Sequence, residues 1–175
     1  CNAGDILECA AGSYTDAIKQ TVCLTCNVAH ECTSGIQTIC NEGFHQPLAG
    51  QSSCASCDIS NYCTKGVMRV CEAGSYNVEI EQNSCLTCNR HHSCNNGDQT
   101  VCPNGEHQPQ TGQSVCLACS IGSFCLSGLD SQVCAEGDYT DSTSQSVCIT
   151  CQANYFCTSG IKTICAEGSY TSTPG

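Results

Sequence analysis

The sequence predicts small disulfide-rich repeats in an extended, quasi-linear array, with short β-strands and turns and little or no helix. Three observations carry this. The 22 cysteines recur with a period of 31 residues, and self-similarity at a short fixed period marks an array of stacked units. A unit of that length is too small for apolar burial alone to offset its chain entropy. No stretch of ten residues shows helical apolar spacing, whereas short β-branched runs sit between turn signals.

The cysteine lattice reads C-x13-C-x2-C-x5-C-x7-C, and its four positions are here called a, b, c and d. It divides the chain into the end of a preceding repeat (1–8), repeat one (9–39), repeat two (40–70), repeat three (71–101), repeat four (102–133), repeat five (134–164) and the start of a following repeat (165–175). Cys1 falls at d and Cys165 at a, so the segment reads as a piece of a longer array. One extra residue between Cys125 and Cys134 is the single slip.

Disulfides replace the missing core. The chain has six Tyr, three Phe and no Trp, and cysteine supplies much of its 40% hydrophobic content. Cysteine at this density marks a disulfide scaffold that persists in an oxidising compartment, so the expected location is extracellular or cell-surface. The preferred pairing is a–b with c–d. That gives Cys9–Cys23, Cys26–Cys32, Cys40–Cys54, Cys57–Cys63, Cys71–Cys85, Cys88–Cys94, Cys102–Cys116, Cys119–Cys125, Cys134–Cys148 and Cys151–Cys157. An a–b bridge closes about 15 residues, worth about 3 kcal/mol in the chain-entropy picture, and a c–d bridge roughly 2–2.5 kcal/mol. Two other pairings remain open: a–c with b–d, and d with the next a, such as Cys32–Cys40.

Turns and strands follow from what lies between the cysteines. A glycine stands three residues after each a (Gly12, Gly43, Gly74, Gly105, Gly137, Gly168) and three after each d (Gly35, Gly66, Gly97, Gly128, Gly160). Glycine at a fixed distance from a staple predicts a turn with positive φ. The runs Ile36-Gln37-Thr38-Ile39, Val67-Met68-Arg69-Val70 and Ile161-Lys162-Thr163-Ile164 predict short strands between d and the next a.

A two-repeat alternation overlies the single period. Five residues after a stand Tyr14, His45, Tyr76, His107, Tyr139 and Tyr170, and repeats two and four share His-Gln-Pro and Gly-Gln-Ser. The residue before d runs Glu31, Tyr62, Ser93, Phe124, Phe156. This predicts one aromatic slot per repeat, filled from either of two places. An ancestral duplication of a two-repeat block produces the same pattern.

Catalytic and metal signatures are absent from the sequence. C-x2-C occurs once per repeat, as in Cys23/Cys26, but a four-thiolate metal site needs two such pairs and leaves a and d unused. A redox role needs a βαβ context. His30, His45, His91, His92 and His107 match no metal or hydrolase motif, and His45 and His107 take the Tyr position of other repeats. The chain is therefore expected to be no enzyme and to carry no cofactor or metal. Thr140, Ser142, Thr143, Ser144, Thr171, Ser172 and Thr173 are candidate acceptors of O-linked sugar in a secreted protein. The net charge of −11 disfavours nucleic acid and anionic membranes as partners. No segment suits membrane insertion.

The string Cys134-Ala135-Glu136-Gly137-Asp138-Tyr139, then Cys148-Ile149-Thr150-Cys151, then Tyr155-Phe156-Cys157-Thr158-Ser159-Gly160 resembles the ephrin-receptor-like cysteine-rich repeat. Tumour-necrosis-factor-receptor and EGF-like modules share parts of it. Tandem arrays of such repeats occur in protist surface proteins, including cysteine-rich ciliate surface antigens. The resemblance implies a disulfide-laddered extracellular rod without enzymatic activity. The His-Gln-Pro loops depart from the pattern, and no ligand site is carried over.

Three functions are expected to compete. The leading one is a structural segment of a coat, stalk or filament that self-associates with identical or neighbouring repeats. The next is a receptor, adhesin or surface-antigen ectodomain with a protein ligand, for which His91-His92 and Asn95-Asn96 are the unusual exposed residues of repeat three. The last is thiolate metal binding.

Overall fold

The computed structural model describes residues 8–17 and 20–173. Cys1 and most of the leading segment lie outside the described residues. The fold is one of small repeated units stapled by ten disulfides and built from short antiparallel strand pairs, with no helix among the described residues. The chain forms two compact units, and the division falls inside repeat three: the first holds Cys1–Glu72, Tyr76–Leu86 and Asn96–Asp98, the second Ala73–Ser75, Thr87–Asn95 and Gln99–Gly175.

The first unit carries β1 (Ser13–Tyr14), β2 (Leu24–Thr25), β3 (His30–Thr33), β4 (Ile36–Ile39), β5 (Phe44–His45), β6 (Ala55–Ser56), β7 (Asn61–Thr64) and β8 (Val67–Val70). They pair β1 with β2, β3 with β4, β5 with β6 and β7 with β8. Repeat three supplies β9 (Ser75–Tyr76), β10 (Leu86–Thr87), β11 (His92–Asn95) and β12 (Asp98–Val101). The second unit then holds β13 (Glu106–His107), β14 (Leu117–Ala118), β15 (Ser123–Phe124), β16 (Gln132–Val133), β17 (Asp138–Tyr139), β18 (Ile149–Thr150), β19 (Tyr155–Thr158) and β20 (Ile161–Ile164). Here β13 pairs with β14, β15 with β16, β17 with β18 and β19 with β20.

The disulfides join a to b and c to d in all five repeats, Cys9–Cys23 and Cys26–Cys32 being the first pair. Remaining bridges follow the same rule, through Cys40–Cys54, Cys57–Cys63, Cys71–Cys85, Cys88–Cys94, Cys102–Cys116, Cys119–Cys125, Cys134–Cys148 and Cys151–Cys157. Cys165 forms no disulfide among the described residues. The c and d cysteines are buried, whereas each b cysteine is only half-buried. Buried sulfur therefore takes the place that Leu and Ile hold in a larger core.

The hairpin after d closes through two residues of positive φ, Ser34 at 52° and Gly35 at 76° in repeat one. Two left-handed residues in a two-residue loop match the strand twist, as in a type I′ turn. Thr33 then faces Ile36, and β4 runs back along β3 as far as Ile39 opposite His30. Repeat four differs, for its extra residue shortens the returning strand to Gln132–Val133 opposite Ser123–Phe124.

The glycine three residues after d also receives the preceding repeat. A Cβ built on Gly66 would lie 2.2 Å from the Ala29 carbonyl oxygen, and one on Gly160 1.9 Å from that of Gly122. On Gly35 it would meet, among the described residues, only the Cys9 Cβ, at 3.8 Å. Both Gly35 and Gly66 have φ near 75°, so alanine costs about 1–2 kcal/mol of left-handed strain at either. Gly66→Ala adds a backbone clash. We predict that Gly66→Ala destabilises the contact between repeats one and two by more than Gly35→Ala does, by about 2 kcal/mol or more. Faster amide exchange at Ala29 in Gly66→Ala alone is the expected readout; equal effects of the two substitutions would refute it.

Candidate functional site

The most elaborate feature of the chain is the joint between consecutive repeats, in which the c and d cysteines use the same backbone atoms in the first four repeats. Between repeats one and two, Cys32 N–H donates to Gln51 O at 3.0 Å, Gly50 N–H to Cys26 O at 2.8 Å and Ala29 N–H to Gln46 O at 2.7 Å. Between repeats two and three, Cys63 donates to Gln82, Glu81 to Cys57 and Ser60 to Asn77, at 2.8–2.9 Å. In the second unit, Cys94 donates to Gln113, Gly112 to Cys88 and His91 to Gln108. Within its own repeat, each c–d pair is gripped from the other side. Gly12 N–H donates to Cys32 O and Cys26 N–H to Gly12 O.

Three residues after c the backbone is left-handed: Ala29, Ser60, His91, Gly122 and Asn154 have φ between 64° and 83°. A non-glycine residue holds that conformation only where surrounding bonds over-determine it. Here they do, since Ala29 N–H donates to Gln46 and Ala29 O accepts from Cys40 N–H.

Side chains distinguish one joint from another at the position six residues after a. Gln46 and Gln108 fold back on their own loops, each Nε2 donating at 2.7 Å, to Ser53 O and Val115 O. Their Oε1 atoms accept from Leu48 and Gln110 N–H. Shorter side chains at this position reach the preceding repeat. Asn77 Nδ2 donates to Asn61 O at 2.8 Å as well as to Ser84 O of its own loop at 3.0 Å, Thr140 Oγ1 accepts from Gly122 N–H at 2.7 Å, and Thr171, in the unit that follows repeat five, accepts from Asn154 N–H.

The aromatic slot needs correction. Tyr139 is buried against Cys151 and Cys157, with Tyr155 packed alongside. Phe156 does not share that slot; its ring is 45% exposed on the far face of β19. Strand alternation explains this, because Phe156 and its buried neighbour Cys157 point to opposite faces. Lys162 Nζ donates to the Tyr139 hydroxyl at 3.1 Å and lies 4.4 Å from the ring centroid. That hydrogen bond raises the Lys162 ammonium above its ordinary value. Its stabilising effect is present below the ordinary lysine range and is lost as pH rises through the raised value.

The sequence candidates separate by accessibility. Thr140 has no exposed surface, and its hydroxyl is committed to Gly122 and Ser123 in the folded chain. Thr171 is half-buried with its hydroxyl on Tyr155 O. Ser142, Thr143, Ser144, Ser172 and Thr173 are exposed. His91 Nδ1 is 2.7 Å from Gly128 O, His30 and His92 bond backbone carbonyls two residues away, and Asn95 Nδ2 donates to Ser114 O. His91 and Asn95 thus each bond a carbonyl of repeat four, Asn95 from an exposed position. The His45 and His107 backbones bridge Gly66 and Gly128 as Tyr14 bridges Gly35. No group of three metal-binding side chains gathers among the described residues. A shallow cleft of about 630 Å³ in repeat one is lined by Tyr14, Thr15, Asp16, His30, Gly35 and Ile39; the equivalent glycine in repeat two meets Ala29.

Two signals escaped the motif search. One is a glutamine eleven residues after every a, at Gln20, Gln51, Gln82, Gln113 and Gln145. From Gln51 onward its backbone carbonyl is the acceptor for the preceding d cysteine and its side chain bonds the carbonyl two residues back. The other is charge segregation. The five a-to-b loops hold nine acids and one base, whereas the five stretches from b to the next a hold four acids and four bases. A scan for catalytic patterns passes over both.

No helix among the described residues is long and apolar enough to cross a membrane. No protein-family model matches the chain, and no curated protein matches it.

Thr140→Val keeps the volume but leaves a buried Gly122 N–H without its acceptor, at a cost of about 1–3 kcal/mol. The expected result is faster amide exchange at Gly122 and Cys134 with all ten bridges intact. Peptide mapping of secreted protein should find Thr140 unmodified. A glycan on Thr140, or a neutral Thr140→Val, would contradict this assignment.

Proposed function

We propose that the chain is a structural segment of an extracellular tandem array that forms a surface coat, stalk or filament. The observation that supports this most is the repeated joint, in which the c–d staple of one repeat bonds the next through backbone atoms alone. Such a staple needs no particular side chain for its own bonds and can propagate along any number of units. Ten disulfides point to an oxidising, extracellular setting. The resemblance to ephrin-receptor-like repeats in protist surface arrays agrees with this reading, as does a non-catalytic role. Two of the four candidate residues of the receptor or adhesin alternative, His91 and Asn95, bond carbonyls of the next repeat, which favours the structural reading.

Electron microscopy of unreduced native material tests the proposal. Fibres or rods with an axial step of one or two repeats are expected. Isolated globular particles would overturn it and return the weight to a ligand-binding ectodomain.

A further inference from the structure

We propose that the b cysteines, Cys23, Cys54, Cys85, Cys116 and Cys148, are the points at which a small-molecule thiol enters this chain, so that thiol–disulfide exchange opens the a–b bridges and leaves the c–d bridges closed. This makes each described joint redox-controlled, in a filament and in a ligand-binding ectodomain alike.

The two bridges of a repeat differ in access. Of its four cysteines, a, c and d are buried and only b is half-buried, in all five repeats. The residues on either side of b are exposed each time, as Val22 and Leu24 are around Cys23 and Ser84 and Leu86 around Cys85. Cys26, Cys32, Cys57 and Cys63 have no exposed surface. Exchange requires a thiolate to reach a sulfur, so b offers an entry that c and d do not. Backbone bonding works in the same direction. Cys26 and Cys32 give their N–H and C=O groups to Gly12, Gly50 and Gln51, whereas among the described residues no b cysteine joins that ladder. The c–d partners also stand 6 residues apart and the a–b partners 14, and the shorter loop recloses more readily.

The exchange runs in two steps. The entering thiolate bonds to the b sulfur, and the a sulfur leaves as a thiolate that takes a proton from solvent. A second thiolate attacks the small-molecule sulfur of that mixed disulfide, and the b sulfur leaves. One disulfide of the chain gains two electrons, and two small thiols are oxidised to their own disulfide.

Opening one a–b bridge acts on one joint. The loop from Cys40 to Cys54 brings Gln46, Gly50 and Gln51 to Ala29, Cys26 and Cys32 of repeat one. With Cys54 released, Gly50 and Gln51 lose the anchor that follows them, while Cys57–Cys63 still staples repeat two. The loop from Cys71 to Cys85 serves Cys57 and Cys63 in the same way. Each joint is thus governed by the a–b bridge of the repeat that follows it.

The full chain under native conditions, titrated with reduced glutathione, tests the proposal. Free thiols are trapped with N-ethylmaleimide and located by peptide mapping. Initial trapping at a and b cysteines should be about tenfold faster or more than at c and d, with glutathione adducts on b and not on a. Denaturant should abolish the difference. Separately, Cys40→Ser with Cys54→Ser should speed amide exchange at Cys32 and leave Cys63 unchanged. Trapping of c and d as fast as a and b, or adducts on a, overturns the entry-point assignment. Unchanged exchange at Cys32 in that variant, with its c–d bridges intact, overturns the control of the joint. Neither result touches the structural reading.

Discussion

Each c–d disulfide holds two backbone segments whose polar groups carry the whole architecture. In repeat one, Cys26 and Cys32 give one N–H and one C=O to their own Gly12, and one of each to Gly50 and Gln51 of the next repeat. The bridge has no exposed surface at either sulfur-bearing residue. It cannot open without freeing four buried backbone groups, and each unpaired group costs roughly 1–3 kcal/mol. Staple and ladder therefore depend on one another. The a–b bridge is different in kind: its b cysteine is half-buried, and it ties down the loop that delivers the acceptor to the preceding repeat.

Much follows from that hub. Because the c and d groups are fixed, the residue three after c must turn left-handed to present both its N–H and its carbonyl across the joint. Because that residue arrives against the next d turn, the glycine there has no room for a side chain. What varies from repeat to repeat is confined to positions the backbone does not need. Joints are marked by Ser60 with Asp98, by the two-oxygen contact of Arg90 with Asp130, and by Thr140 with Gly122. The first two pairs are exposed and add little stability, whereas the Thr140 bond is buried; together they make joints non-identical in a chain of near-identical units.

The period, the strands and both glycine positions were legible in the sequence because each reflects a local rule: a fixed cysteine spacing, β-branched runs, and a residue that must adopt positive φ. Ile36–Ile39, Val67–Val70 and Ile161–Ile164 form strands over the bounds that their composition suggests. The joint was not legible. Its acceptor is a backbone carbonyl, so the recurrent glutamine that carries it has no chemical signature, and its partner lies in another repeat. Thr140 shows a related limit: Ser/Thr-rich composition reads as solvated loop, but its hydroxyl is buried as the acceptor for Gly122 N–H of the preceding repeat. Phe156 looked equivalent to Tyr139 by residue type, and only strand alternation separates an inward ring from an outward one.

Amide exchange on dilute, unreduced chain tests the hub most directly. The account predicts slow exchange at Cys32, Cys63, Cys94 and Cys125, whose N–H groups donate to the following glutamine carbonyl, and fast exchange at Gln37 and Met68, directly opposite two of them but facing outward. Fast exchange at the four d cysteines, or equal protection of the two sets, would show that the repeats are linked by their chain alone and not by the staple-centred ladder.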